Sequence, residues 1–222
     1  MNVKQLSLLA GGATMLLAAT ASADFQGLSA DIVGTDLAVP GAPAHWTARI
    51  YANLDAGSRL DAIYGNADNP LSMGTTSSLF QSDFGGATTQ AINPALYNAF
   101  PSLVYDSWVT IGLEDQGGNA LSEIGLIHDD ASGTSTSDGS FYVTPDDAQG
   151  AEIDGRVLIA QFTTYGDDAV LSGTVSLQGK DANGDNWTAE SQSYSFGNVV
   201  PAPGALALLG LAGFAGRRRR RA

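Results

Sequence analysis

The segment His45-Trp-Thr-Ala-Arg-Ile-Tyr-Ala-Asn-Leu54 sets Trp46, Ala48, Ile50, Ala52 and Leu54 on one side of an extended chain, and Thr47, Arg49, Tyr51 and Asn53 on the other. A period of two is that of a half-buried β-strand. Ala169 to Gln178 alternates in the same way, with Leu171, Gly173, Val175 and Leu177 against Val170, Ser172, Thr174 and Ser176. Ser102 to Leu113 is rich in β-branched and aromatic residues and predicts another strand. Gly155 to Tyr165 predicts a central strand buried on both faces, and Trp187 to Phe196 closes the series. Arg59 to Tyr64 follows the first strand after Asp55-Ala-Gly, the spacing of a hairpin partner. Turn signals separate these runs: Gly65-Asn66, Gly85-Gly86, Gly117-Gly118-Asn119, Ser137-Asp138-Gly139 and Asn183-Gly184-Asp185. A helical stripe is almost lacking. Asn93-Pro94 before Ala95-Leu-Tyr-Asn-Ala-Phe100 predicts one short helix, with an N-cap and a first-turn proline. The expectation is an all-β fold, a jelly-roll-like β-sandwich over residues 24–198.

The two ends read as addresses. Lys4, the apolar run Leu6 to Ala19 and the small residues Ala21 and Ala23 have the order of a secretory signal peptide with an A-x-A cleavage site. Residues 1–23 are therefore expected to be removed by the secretion translocase and its peptidase, leaving Asp24 as the first residue. At the other end, Val200-Pro201-Ala202-Pro203-Gly204 leads into 11 small and apolar residues, 205–215. Gly216 and the arginines Arg217, Arg218, Arg219, Arg220 and Arg221 follow. From Val199 to Gly216 the segment is 18 residues long, the lower edge of a single helical membrane span. The arginines would stay on the cytoplasmic side.

Residues 200–221, about a tenth of the chain, resemble the PEP-CTERM sorting tail of exported bacterial proteins. That resemblance implies an exosortase as partner, cutting near the Pro-x-Pro motif, and a destination at the cell surface or in the exopolysaccharide. Ala202 stands where the family usually has Glu. Trp46-Thr-Ala-Arg-Ile-Tyr-Ala and Tyr105-Asp-Ser-Trp-Val-Thr-Ile-Gly112 are similar to segments of other exported proteins with such tails, themselves uncharacterised, so no activity comes with the likeness.

Charge narrows the partners. Of 10 bases in the chain, only Arg49, Arg59, Arg156 and Lys180 lie in residues 24–198, and all 23 acids lie there, so the body carries 4 − 23 = −19. Such a surface repels phosphate backbones and excludes nucleic acid as a partner. Cysteine is absent, which removes thiolate chemistry and disulfides. No phosphate-binding loop and no G-x-S-x-G elbow occurs. With only His45 and His128, a three-histidine zinc site is impossible; His128-Asp129-Asp130 is the best ligand fragment, and a polar exposed turn is its alternative. A glycosidase needs two carboxylates at a set distance, and nothing singles out a pair among 23.

Two local features remain. Asp181, Asn183 and Asp185 have the 1-3-5 spacing of a calcium loop, although Asn186 and Gln192 replace the Gly and bidentate Glu of an EF-hand. An Asx-rich hairpin turn is the competing reading. Of the three tryptophans, Trp46 and Trp108 fall in strand patterns, whereas Trp187 follows an acidic turn and is the candidate for stacking on a sugar, with a place in the core as its alternative. The chain thus reads as a non-enzymatic surface or matrix protein with a structural or adhesive role. A secreted carbohydrate-binding module or carbohydrate-active enzyme is the alternative.

Overall fold

The computed structural model describes residues 24–35, 39 and 45–198. The residues read as a signal peptide, Ala21 and Ala23 among them, and the segment read as a sorting tail, with Val200 to Gly204 and Arg217 to Arg221, lie outside the described residues. The body is all-β, built from twelve strands in two antiparallel sheets that face each other as a sandwich.

The first sheet has the order β1-β2-β10-β5, formed by Phe25–Thr35, His45–Leu54, Arg156–Tyr165 and Trp108–Val109. The alternation of β2 decides its orientation. Trp46, Ala48, Ile50, Ala52 and Leu54 all enter the main core, none more than 4% exposed. The opposite face is covered as well. Residues 81–113 lie over it in three 3-10 turns, Thr89–Ala91, Pro94–Leu96 and Pro101–Tyr105. They enclose a second small core of Ile92, Leu103, Trp108 and Leu158, with Tyr51 and Phe100 against it. Strand β10 is therefore buried on both faces, as its sequence predicts. Ile159 and Phe162 enter the main core and Leu158 the second, while Thr163 pairs with Thr47 at 2.5 Å.

The second sheet holds β3 (Arg59–Gly65), β4 (Leu71–Thr75), β6 (Ser122–Ile124), β7 (Ile127–Asp129), β8 (Gly133–Thr136), β9 (Gly139–Tyr142), β11 (Val170–Lys180) and β12 (Asn186–Gly197). Its short members join end to end. β3 and β4 pair successive halves of β11; β9 and β8 pair β3 and β4; β6 and β7 pair β9 and β8. The sheet is thus five lines wide, and apart from a register shift between Gln178 and Gly179 its irregularities fall on one transverse row. On that row lie Gly125-Leu126, Ser137-Asp138, the excursion 66–70, the bulge between Val175 and Leu177, and Ser191 at φ 51°. The row is stitched by Thr136 Oγ1 donating to the Gly125 carbonyl at 2.7 Å and the Ser191 amide to Ser176 Oγ at 3.2 Å. Glycine is required on it: a Cβ at Gly139 would sit 2.7 Å from the Gly125 backbone.

Three expectations are corrected. Arg59–Gly65 is not the hairpin partner of β2, because the turn after Leu54 carries the chain from one sheet into the other, and β2 pairs with β1 and β10. The strand expected over Ser102–Leu113 shrinks to Trp108–Val109, since Pro101 starts a 3-10 turn over its first half. The expected helix is one of four 3-10 turns; the Asn93 side chain does cap it, accepting from the Ala95 amide at 3.0 Å.

Tyr194 is 6% exposed, its ring fills the space above Gly173, and its hydroxyl has no hydrogen-bond partner in the protein. An unpaired buried hydroxyl costs about 1–3 kcal/mol, and a phenyl ring keeps the same packing. Tyr194→Phe is expected to raise stability by about 1 kcal/mol, read as a higher urea midpoint at unchanged slope.

Candidate functional site

Several polar and charged groups gather where β11 and β12 turn. Asp181 begins the turn and its carboxylate folds back over it. Oδ1 accepts the Asn183 amide at 2.8 Å and the Asp185 amide at 2.7 Å, and Oδ2 accepts Asn183 Nδ2 at 3.1 Å. These bonds, the Asp185 amide first, hold the Asp181 carboxyl below the usual carboxylate range. Gly184 supplies the left-handed residue at φ 88°. Among the described residues no group of three or more His, Asp or Glu is placed to hold a metal ion.

Beside the turn lies a cavity of about 270 Å³, lined by Asp61, Gln178, Lys180, Asn186, Trp187 and Thr188 among others. Two of the body's four cations meet here. Arg59 Nε donates to Asp61 Oδ1 at 2.8 Å, and its Nη2 to the Asp147 carbonyl at 2.6 Å. Lys180 Nζ lies 3.3 Å from Asp146, whose backbone is held at φ 71°. Arg59 and Lys180 are met by Asp61 and Asp146, and the wall offers amide, hydroxyl, ammonium and carboxylate groups.

Trp187 is not a stacking platform. Its ring is 4% exposed, joins the main core and stacks on Phe25 with centroids 6.3 Å apart. The cause is register: Trp187 stands opposite Gly179, and a Cβ there would lie 2.8 Å from the indole Cζ2. The indole occupies the room that glycine leaves. Trp46 and Trp108 are core residues, as their strand positions predict.

The two histidines lie in different sheets. His45 is buried in β2, whereas His128 on β7 contacts Glu123 at 2.8 Å and Thr134 at 2.9 Å.

Sequence reasoning missed Asp106. It is fully buried and clamps the loop 82–86, accepting the Ser82 amide at 2.6 Å on Oδ1 and the Gly86 amide at 3.0 Å on Oδ2. The signal was present in Gly85-Gly86: a Cβ at Gly85 would strike the carboxylate, so the pair implies close packing on something. A cavity of about 540 Å³, lined by Asp83, Asp130 and Tyr165 among others, opens beside this loop. Neither buried carboxylate faces its cavity freely. Asp61 is bonded to Arg59 and Asp106 to backbone amides.

Comparison with known protein families, with curated proteins and with solved structures found no match to this chain.

Burial pushes the Asp106 carboxyl up to about 6, against backbone hydrogen bonds that lower it. The folded value exceeds the unfolded one, so protonation favours folding. Stability from this group is full below the unfolded value of 3.8 and is lost as pH rises through about 6. Asp106→Asn is expected to flatten that decline. Urea midpoints measured at several pH values between 4 and 7 for both proteins check it, and parallel curves would remove Asp106 as the titrating group.

Proposed function

We propose that this chain is an exported, non-enzymatic β-sandwich protein of the cell surface or extracellular matrix, with a structural or adhesive role. The observation that carries the reading is the pair of address-like segments, residues 1–23 and 199–222, on either side of an acidic all-β body. All four cations of that body are tied to carboxylates: Arg49 to Glu114, Arg59 to Asp61, Arg156 to Asp31 and Lys180 to Asp146. Apart from the buried Asp106, most of the remaining acid is at the surface, which suits solubility outside the cell. An exosortase acting at Pro201-Ala202-Pro203 and a membrane span ending at Arg217 to Arg221 complete the proposal. Fractionation of the native host with N-terminal sequencing tests it. The protein is expected in the envelope or matrix fraction, beginning at Asp24; intact Met1 in the cytoplasm overturns it.

A second reading, a carbohydrate-binding module, is favoured by the 270 Å³ cavity and its balanced hydrogen-bonding wall. Titration calorimetry with matrix oligosaccharides tests it. Binding is expected to fall at least tenfold in Asn186→Ala with Thr188→Ala, while the melting temperature stays within a few degrees.

Calcium is proposed only at Asp181, Asn183 and Asp185, as a weak site on the same hairpin. Millimolar calcium is expected to raise the melting temperature by about 2–4 °C. A rise that persists in Asp181→Ala with Asp185→Ala assigns the effect to general screening instead.

A further inference from the structure

A sandwich has four sheet edges, and unpaired edges invite other strands. Three of them here are guarded. The edge strands β1 and β12 lie against each other and close one side of the sandwich. On the other side β5 is only two residues long. The fourth edge, β6 with β7, is open and carries neither lysine nor proline; instead Ile124 and Ile127 are each 65% exposed, among the most exposed large apolar side chains of the described body.

The faces of this edge are fixed by its neighbours. Ile124 stands opposite Ser140 and Ile127 opposite Ser135, on the outer face of the sheet. Glu123 stands opposite the buried Phe141 and His128 opposite the buried Thr134, on the inner face, with Leu126 packed at the core margin. Gly125, at φ 66°, kinks the chain between the two strands, and residues 124 and 127 share a face although three apart.

We propose that the β6–β7 edge is a homotypic interface, in which a second copy of this chain adds its own β6–β7 antiparallel about a two-fold axis between Gly125 and Leu126. The sequence Glu123-Ile-Gly-Leu-Ile-His128 is complementary to itself in that register. Ile124 meets Ile127 of the other copy twice over, outer face to outer face. Glu123 and His128, bonded to each other at 2.8 Å within each chain, meet the same pair of the other copy, inner face to inner face. Each copy presents its Gly125 kink to the other's, so the interruption that would misalign an ordinary strand is matched. The body's charge of −19 opposes self-association elsewhere, whereas at this edge Glu123 already has His128 as its partner and the pairing isoleucines are neutral. A strand of another protein would have to reproduce both the kink and the spacing of the isoleucines. The main-chain ladder supplies affinity and the alternate side chains supply selectivity. The contact would continue the five-line sheet into one of ten.

The chain has no cysteine, so register can be read by cross-linking. Full-length Ile124→Cys and Ile127→Cys are purified separately in mild detergent, then unfolded in urea and refolded either alone or together, and oxidised gently. Both positions are exposed, so both variants are expected to fold; circular dichroism checks this. In the proposed register the thiol introduced by Ile124→Cys faces an isoleucine when that variant is refolded alone. In the mixture it faces the thiol introduced by Ile127→Cys. A disulfide-linked dimer is therefore expected in the mixture, at several times its level in either variant alone. No dimer in the mixture, or equal dimer in all three samples, overturns the proposal. Sedimentation supplies an independent arm. Ile124→Lys is expected to weaken self-association at least tenfold; a variant that associates as tightly as the parent counts against the pairing. These readouts are independent of where the cell places the protein.

Discussion

Strand β10 has to be dry on both sides. Its run Arg-Val-Leu-Ile-Ala-Gln-Phe-Thr-Thr-Tyr165 offers no solvated face, so one sheet cannot be the outermost layer of the body. The segment 81–113 is the answer to that constraint. It lays Ile92, Leu103 and Trp108 over Leu158 and brings polar partners where the strand's own polar groups would otherwise be stranded. Gln161 Nε2 donates to the carbonyls of Val104 and Asp106, and the Thr163 amide to Ser107 Oγ. Asp106 then fixes the loop that holds the cover in place. A buried carboxylate is costly, and here its two oxygens replace lost water with the amides of Ser82 and Gly86.

What the sequence disclosed and what it hid follow the same physics. Strands with one apolar and one polar face were legible, because alternation in β2 and β11 marks the face that enters the main core. The double burial of β10 was legible for the opposite reason. The segment 101–113 was not, since an apolar layer made of 3-10 turns has the composition of a strand and lacks its pairing. The partner of β2 was also hidden. A four-residue link can close a hairpin or cross between sheets, and only the sandwich as a whole decides which.

At the candidate site the turn 181–185 was legible and Trp187 was misplaced. Proximity to an acidic turn suggested exposure, but its position opposite Gly179 decided otherwise. Cross-strand complementarity of a large and a missing side chain is a tertiary fact. Gly173 beneath Tyr194 repeats it further along the same pair of strands, where Gly173 is flanked by Ser172 and Thr174. Asp106 was one of 23 acids with nothing in its neighbourhood to mark it except two glycines about twenty residues earlier.

The transverse row of bulges has a mechanical consequence. It divides the second sheet into two panels whose inner ladders are only three to five residue pairs long. β11 and β12 alone run past the row, with ten pairs between Val170↔Gly197 and Lys180↔Asn186. A pull on the chain beyond Gly197 acts along β12 and loads that long ladder in shear, all bonds together. The short ladders behind it would open like separate zips if they were loaded instead. The chain therefore leaves the body by its strongest seam.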